Sequence, residues 1–412
     1  MTKLERVAIA GTVGLGVLGP VSAASAATIR CVNSTRSECQ VTHGTIGAAV
    51  AAASAGDIIF VGAGTYNETV MVDKQLTFLG AQAGRDARGR PGGATESIVN
   101  AAAAGSLNAG FLVTAGGVVI DGFTVQGATE GNSNGGGIDL KGGASPASGA
   151  RVLNNIIQNN AVGLYLNFEG FAPVTNVVVQ RNQFRNNTVM AVGFGDGIFT
   201  SGCQDVTVAD NAFTGHITSA LGFNNSSNVK ITGNQSSGDA TFVIFTGTTS
   251  SVFSGNRGSG FTSQPLSTGN GRAAVAIGPN NSNLEISSND LSSGATNGIR
   301  VTNVFGAGAN QNIGIRYNQV RTMVQAGIAA DAGMLTDSTI EANTSASNSG
   351  DEIFIDTGNS GNVLIANLAR VTSGFGTING TCRDDSVGGG TAGTANYWFD
   401  NRGTGTPPGI CN

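Results

Sequence analysis

Charged residues are scarce in this chain of 412 residues, where Asp, Glu, Lys and Arg together make up 11%. This is less than half of the share that is usual in globular proteins. The net charge is −5, and the basic residues form no cluster. Nucleic acids and anionic membranes are bound through clustered basic side chains, so neither is expected as a partner. Neutral and cationic ligands remain open.

Histidine is even rarer, with two residues. A zinc site with the usual Cys and His spacing is therefore absent, and a serine triad is disfavoured. The Gly-rich stretches 135–137 and 388–390 are predicted to be turns, because no transition from strand to helix follows them. No metal and no cofactor is predicted, although Ca²⁺ is compatible with one of the chemistries considered below.

Long hydrophobic runs are missing beyond the N-terminus. Lys3 and Arg6 flank the start of an apolar, Gly-rich run from Val7 to Val21, and Ala24-Ser25-Ala26 is a small-x-small cleavage site. This layout is typical of a secretory signal peptide and is too short for a membrane anchor. Residues 1–26 are therefore predicted to be a signal peptide. The mature protein is expected to be secreted, extracellular or periplasmic, without a transmembrane segment.

Cysteines are few and lie mostly near the ends. Cys31 and Cys39 are eight residues apart, and Cys382 and Cys411 bracket the C-terminal segment. In an exported protein these pairs are interpreted as two disulfide bonds, with free thiols as the alternative. Cys203 is predicted to be a buried small hydrophobic residue, because nothing near it looks like a paired base.

What the chain does contain is a repeat, in which an apolar residue is followed three positions later by Asn. The nine asparagines, at intervals of 22 to 33 residues, are Asn155, Asn182, Asn211, Asn234, Asn256, Asn289, Asn318, Asn343 and Asn367. Such self-similarity indicates a solenoid. Asn suits the corner of each coil because it tolerates the left-handed backbone conformation and can hydrogen-bond to the Asn of the next coil. Asn placed at random in loops is the alternative, which nine matches in register disfavour.

A second strand precedes each next corner, and its side chains alternate with a period of two. The residues predicted to face the interior are Ile138, Leu164, Ile299, Ile328 and Ile353. The residues between them face outward, in rows spaced by about 4.8 Å per coil. A helical solenoid is excluded by the density of Gly and Asn and by the lack of a sustained 3.6-residue period.

The two ends of the chain predict caps. Residues 45–55 are rich in Ala and favour a short helix, and apolar strands follow up to Gly80. From Thr45 to Gly80 the chain resembles the opening of many bacterial β-helix proteins. Residues 396–411, with the only Trp, resemble the C-terminal cap of secreted β-helix proteins, and this Trp is expected to pack over the last coil.

The resemblance is to the pectin-lyase-like superfamily, without a close match to a characterised enzyme family, and it covers nearly all of the mature chain. It implies an all-β fold: a right-handed single-stranded parallel β-helix of about 12 coils, with an N-terminal capping helix and a disulfide-stapled C-terminal cap. The predicted divisions are signal peptide 1–26, N-terminal cap 27–56, β-helix 57–370 and C-terminal cap 371–412. Long inserts are predicted at roughly 126–137, 167–176, 195–205, 257–273 and 303–312, and they should flank any groove.

A glycoside hydrolase is the first functional hypothesis, because it needs two carboxylates close together. Asp331 and Asp356 occupy the same outward position on successive coils, so their carboxylates are expected about 5–7 Å apart. Two solvated carboxylates, or a weak cation site, are the alternative. Polygalacturonases of this fold carry further motifs of which only Gly215-His216-Ile217 and a displaced Asp384-Asp385 are present here.

His216 has a structural alternative of its own. It aligns with Asn160 and Asn187, which are predicted to form a ladder, so a structural role is expected for it.

A polysaccharide lyase or epimerase is the second hypothesis, and it needs a base and a cation, for which Ca²⁺ is a candidate. Asp139 and Lys141 lie on one coil, and Tyr165 and Asn167 on the next. Asp196 and Asp205 are expected on an inserted loop nearby. A surface ion pair between Asp139 and Lys141 is the alternative.

A binding protein without catalysis is the third hypothesis. Tyr165, Phe199 and Phe354 are expected to face outward, with Arg300 in the same row, where rings can stack on sugars; cover by an adjacent loop is the alternative. No catalytic constellation is complete. The chain is therefore predicted to bind, and in the enzyme hypotheses to cleave, an extracellular polysaccharide or cell-surface glycan. A non-catalytic adhesin or structural envelope protein is the alternative.

Overall fold

The structure is a computed structural model, which describes residues 27–101, 109–129, 136–143, 146–167, 172–188, 195–262, 273–294, 296–373 and 376–412. The predicted signal peptide lies outside the described residues. Three long β-sheets, here called sheets 1, 2 and 3, run along the molecule, and the chain passes through them in this order again and again. Each passage is one coil, and the strands of successive coils pair in parallel.

Sheet 1 has 17 strands and sheets 2 and 3 have 13 strands each within the described ranges, which agrees with the predicted number of coils. The strands of sheet 1 are Ile29–Val32, Val41–His43, Ile58–Val61, Thr77–Leu79, Val119–Asp121, Arg151–Leu153, Val174–Thr175, Val178–Gln180, Cys203–Ala209, Ser227–Thr232, Thr249–Ser254, Ser282–Ser287, Asn310–Arg316, Leu335–Thr336, Thr339–Glu341, Val363–Ile365 and Tyr397–Phe399. Those of sheet 2 are Gly64–Tyr66, Ser97–Asn100, Phe123–Gln126, Ile156–Gln158, Gln183–Arg185, Ala212–Thr214, Gln235–Ser237, Arg257–Phe261, Asp290–Gly294, Gln319–Met323, Thr344–Ala346, Leu368–Ser373 and Gly376–Asn379. Those of sheet 3 are Val70–Val72, Phe111–Val113, Gly136–Leu140, Val162–Leu166, Asp196–Thr200, Leu221–Asn224, Val243–Thr246, Ala273–Ile277, Asn297–Val301, Ile328–Ala330, Ile353–Ile355, Thr381–Asp384 and Thr404–Thr406.

A single apolar core fills the tube from end to end. The side chains predicted to face inward are fully buried in it: Ile138, Leu164, Ile299, Ile328 and Ile353. Burying one such side chain stabilises the fold by about 1.5–3 kcal/mol. Each coil shares its buried face with the coils before and after it, so the coils stabilise one another by stacking.

The predicted asparagine ladder stands at the corner between sheets 1 and 2, and all of its members are buried. The Oδ1 atom of Asn256 accepts hydrogen bonds from the backbone and side-chain amides of Asn234, at 2.9 and 3.1 Å. The side-chain amide of Asn256 donates to the carbonyl of Ile231 and to Oδ1 of Asn289, both at 3.1 Å. The ladder therefore satisfies backbone groups that the corner removes from the sheets. It also continues one step further than predicted, to Asn401.

The left-handed backbone conformation lies one residue before the predicted position. The ladder asparagines have negative φ, whereas the residue directly before each of them has positive φ, for example Gly233 at 67° and Tyr317 at 58°. The preceding residue thus makes the turn, and the asparagine then directs its side chain into the corner. Asn is required here for its carboxamide, and the expectation that it supplies the left-handed conformation is wrong.

The N-terminal end carries the predicted helix, Ile46–Ala52. Thr45 caps it by accepting a hydrogen bond from the N–H of Ala48, and the Glu68 carboxylate accepts from two further N–H groups of the first turn. Both disulfide bonds, Cys31–Cys39 and Cys382–Cys411, are present, and Cys203 is a buried free thiol. These outcomes confirm the interpretation of the cysteines.

Coil stacking continues past residue 370. Thr381–Asp384 pairs with Ile353–Ile355 in sheet 3, and Tyr397–Phe399 pairs with Val363–Ile365 in sheet 1. Trp398 closes the core at this end, 4% exposed, and its Nε1–H donates to Asp384. The segment also contains an antiparallel hairpin, which is formed by the last two strands of sheet 2, and a 3₁₀ turn, Thr391–Gly393. The division into domains stays a prediction. Across the described ranges, no helix is long and apolar enough to cross a membrane.

Candidate functional site

The outer face of sheet 3 carries one row of side chains in which each coil contributes one residue. Strand pairing gives this row as Met71, Leu112, Asp139, Tyr165, Phe199, Gly222, Ile244, Ala276, Arg300, Ala329, Phe354 and Arg383. The predicted register of Asp139, Tyr165 and Arg300 is therefore confirmed. Which of these side chains a ligand can reach depends on how the row is covered.

Tyr165 lies in the row but is completely buried. Its ring meets that of Phe199 edge to face, with 6.3 Å between the ring centres. Burial raises the pKa of the Tyr165 hydroxyl, and the negative charges of Asp196 and Asp139 raise it further. The expectation of a solvent-exposed ring is wrong, because the outer face is covered at this coil; the alternative of a covered aromatic is the one observed.

Asp139 and Lys141 form the ion pair that was considered as the alternative to a catalytic role. Lys141 Nζ lies 3.1 Å from Asp139 Oδ2, and the Asp139 side chain is fully buried. Asn167 lies at the next corner with a φ of 56°, and its amide donates to the carbonyl of Gly202 at 2.9 Å. It therefore serves the turn between sheets 3 and 1. A role of these residues toward a substrate stays a prediction.

Asp196 begins a strand of sheet 3, so its predicted place on an inserted loop is wrong. Its carboxylate is 2% exposed and accepts a hydrogen bond from Ser219 Oγ at 2.5 Å. Burial raises the pKa of Asp196 to about 7, although the bond from Ser219 and the charge of His216 act in the opposite direction. A carboxyl group with this pKa can give or take a proton near neutral pH.

Asp205 was expected beside Asp196 on the same loop. It lies instead within the strand Cys203–Ala209 of sheet 1, where its carboxylate accepts a hydrogen bond from Asn228.

A cavity of about 240 Å³ lies on the outer face of sheet 3, next to Asp196. Its lining residues are Asp196, Phe199, Thr218, Ser219, Gly222, Asn224, Ile244, Thr246 and Phe305. Phe305 comes from the connection after the strand Asn297–Val301 and is 43% exposed. Apolar walls with a few converging polar groups are the usual composition of a small-molecule site. Among the described residues, no three His, Cys, Asp or Glu side chains gather into a metal-binding group.

His216 stands in a second ladder, at the corner between sheets 2 and 3. Oδ1 of Asn187 accepts from the amide of Asn160 at 3.1 Å, and the amide of Asn187 lies 3.1 Å from Nε2 of His216. Nδ1 of His216 is 2.7 Å from the buried carboxylate of Asp239. The predicted structural role of His216 is confirmed.

Asp331 and Asp356 directly follow paired residues of sheet 3, as predicted. Asp331 is 7% exposed, forms an ion pair with Arg300 at 2.7 Å, and accepts a hydrogen bond from Thr302 at 2.9 Å. The Asp356 carboxylate accepts from the N–H of Thr357. These contacts assign Asp331 and Arg300 to each other. A joint reaction of Asp331 and Asp356, and substrate binding by Arg300, stay predictions.

Phe354 is the partly exposed aromatic residue near the C-terminal end of the row. The guanidinium of Arg383 lies 5.1 Å from its ring centre and also pairs with Asp385. One face of the ring is therefore occupied by a cation, and its role toward a ligand stays a prediction.

Residues 95–262 match the protein family described as the right handed beta helix region. This match agrees with the three parallel sheets and with the coil order. The protein is a right-handed parallel β-helix. The matched range includes Asp139, Tyr165, Asp196, Phe199 and Ile244, so most of the site lies within the part of the β-helix that the family describes.

Several solved structures resemble this β-helix at low identity. PfbA, a surface adhesin of Streptococcus pneumoniae, is 12% identical with a TM-score of 0.44, and the match covers 81% of this chain and 88% of that chain. GH136 lacto-N-biosidase from Eubacterium ramulus is 8% identical (TM-score 0.49), with 83% of this chain and 64% of that chain covered. DFA-IIIase from Arthrobacter chlorophenolicus A6 is 16% identical (TM-score 0.45), with 79% and 88% covered. None of the curated proteins matches. The likenesses concern the fold of the β-helix alone.

Sequence reasoning missed Ser219, Asn224, Ile244 and Phe305. The strands Leu221–Asn224 and Val243–Thr246 belong to the same row, but they lack the Gly-Ile pair that marked strands such as Gly136–Leu140 and Asn297–Val301. Counting from Phe199 by the intervals of the asparagine ladder would have placed them. Phe305 reaches the cavity from the insert predicted at 303–312 to flank a groove, but the sequence did not single out this residue within the insert.

Proposed function

We propose that this β-helix is an exported protein that binds an extracellular glycan on the outer face of sheet 3, with one sugar ring in the cavity beside Asp196. The observation that supports it is the composition of the cavity. Phe199 and Phe305 line it with aromatic rings, which can pack on the apolar side of a sugar, and Asn224 and Thr246 supply hydrogen-bonding groups for its hydroxyls.

Export is supported by the two disulfide bonds, because disulfide bonds persist in oxidising compartments outside the cytosol. The signal-peptide pattern of residues 1–26 points in the same direction.

A glycan array and a pull-down with insoluble polysaccharides test the proposal. Phe199→Ala and Phe305→Ala should each weaken binding at least about tenfold, which corresponds to about 1.4 kcal/mol for one ring contact. Tyr397→Ala is the matched control, since it removes an exposed ring, 46% accessible, from sheet 1. Wild-type protein that binds no glycan, or binding that neither Phe substitution affects, would contradict the proposal.

Cleavage of the bound glycan is a second candidate function, favoured by the pKa of Asp196 near 7. Incubation with a polysaccharide panel yields reducing ends alone for a hydrolase, and reducing ends with absorbance of an unsaturated uronate for a lyase. Asp196→Asn should abolish either signal. Asp331→Asn and Lys141→Ala test the residues predicted for the same chemistry. If wild-type protein gives neither signal, the adhesin or structural envelope role stands.

A further inference from the structure

We infer that the cavity beside Asp196 accepts an uncharged sugar ring and rejects a uronate, so that the ligand of this β-helix is a neutral glycan. The inference rests on the proposed function and names the substrate class of the same site.

The cavity wall has little charge. Asp196 is the one charged side chain among the described residues that line the cavity. A sugar carboxylate is normally held by the guanidinium of Arg or the ammonium of Lys, which form charge-assisted hydrogen bonds with it. This wall offers a hydroxyl group from Thr246 and an amide group from Asn224, which suit uncharged hydroxyls.

The nearest cations on the outer face of sheet 3 are already bound to carboxylates. Lys141 lies 3.1 Å from the carboxylate of Asp139, and Arg300 lies 2.7 Å from that of Asp331. Both cations are therefore already neutralised by carboxylates of this chain. A uronate that recruited either of them would have to separate a largely buried ion pair, which is costly because it leaves a charge without its partner.

The groups around Asp196 disfavour a second negative charge. Tyr165 lies on the preceding coil and Asp139 one coil beyond it, but both are fully buried and Asp139 is paired with Lys141, so that side adds no positive charge that could hold a uronate. On the other side the imidazole of His216 is bound to Asp239. A uronate carboxylate would meet the like charge of ionised Asp196, whereas a neutral ring would not. At about 5 Å and an effective dielectric constant of about 20, such repulsion lowers affinity by about a hundredfold or more.

The protonation of Asp196 supports the same conclusion. Burial raises its pKa to about 7, so the carboxyl is mostly neutral at pH 5.5 and mostly ionised at pH 8.5. In the neutral form it can donate a hydrogen bond to a sugar oxygen. The rejection of uronates should therefore strengthen as the pH rises between these two values.

Titration calorimetry with two sets of oligosaccharides tests the inference. The neutral set consists of dextran, galactomannan and mixed-linkage glucan fragments, and the uronate set of polygalacturonate and alginate fragments. Wild-type protein should bind at least one neutral ligand, and every uronate at least about a hundredfold more weakly at pH 8.5. The ratio of neutral to uronate affinity should be smaller at pH 5.5. Asp196→Asn should lower this ratio at pH 8.5 at least tenfold. Asp73→Asn, which removes an exposed carboxylate elsewhere, should leave it unchanged.

Two results distinguish the failure of this inference from that of the proposed function. A uronate that binds wild-type protein as tightly as neutral ligands at pH 8.5, and that Phe199→Ala weakens, overturns the inference and leaves glycan binding in place. Absence of binding for both ligand classes overturns both. If Asp196→Asn does not fold, the pH dependence of wild-type protein decides, since a ratio that stays constant from pH 5.5 to 8.5 contradicts the role of Asp196.

Discussion

Replacing one ladder asparagine in the middle of the stack is the most direct test of what holds the coils together. The side chain of Asn256 takes part in four hydrogen bonds, two through Oδ1 and two through its amide. In Asn256→Ala the backbone N–H of Asn234 and the carbonyl of Ile231 both lose a buried partner. An unsatisfied buried group costs about 1–3 kcal/mol, so the free energy of unfolding should fall by about 2–6 kcal/mol.

Guanidinium unfolding followed by circular dichroism measures this loss, and hydrogen exchange at the N–H of Asn234 locates it. Gln235→Ala is the matched control, because it removes an exposed carboxamide from the position directly after Asn234 and should change stability by less than about 0.5 kcal/mol. Asn256→Asp keeps the acceptor for Asn234 but buries a carboxylate, so it should be at least as destabilising at pH 7. If Asn256→Ala costs no more than Gln235→Ala, the ladder does not stabilise the coils in the way argued here.

Three further predictions concern the corner, the N-terminal end and the C-terminal end. Gly255 has a φ of 65° with free space around it, so Gly255→Ala should cost about 1–2 kcal/mol and Gly255→Asn less, by thermal or chemical unfolding; equal stability of the two variants would contradict this. At Asp57, burial acts to raise the pKa, but hydrogen bonds from the Ser54 and Thr28 amides and from Arg30 outweigh it and lower the pKa. The stability that Asp57 contributes is therefore present above its unfolded pKa and lost as the pH falls through the lower folded value, and Asp57→Asn should flatten the acid limb of the stability profile. Cys382 and Cys411 close a loop of 29 residues, so replacing both by Ser should cost about 3–4 kcal/mol, and reductant should destabilise wild-type protein more than this variant, which keeps the Cys31–Cys39 bond.

Much of the fold could be predicted because each coil repeats the same physical problem. Every coil must turn a corner with buried backbone groups, and the carboxamide that solves it is visible as Asn at positions such as Asn155 and Asn367. The inward residues of sheet 3 were found in the same way, from alternation with a period of two. The corner conformation was assigned one residue too late, since sequence alone does not separate the residue that turns from the residue that fills the turn.

The site was harder to predict because it depends on what lies over the sheet. The register placed Tyr165 on the outer face, but only the structure shows that this face is covered there. Asp196 was predicted to lie on an insert at 195–205, but it opens a strand of sheet 3. A carboxylate at the first position of a covered strand is unusual, and its burial is what raises its pKa.

The direction of the asparagine ladder sets the unit by which this protein can change in length. Each ladder amide donates one hydrogen bond to the Asn of the next coil, so Asn318 needs an acceptor one complete coil later, which Asn343 supplies 25 residues on. Excising residues 319–343 would bring Asn367 to the same place, and the series of donors and acceptors would close again. A deletion of only part of a coil would instead leave one ladder asparagine without its hydrogen-bond partner. Insertions and deletions are therefore expected to be tolerated as whole coils, or within the connections outside the sheets.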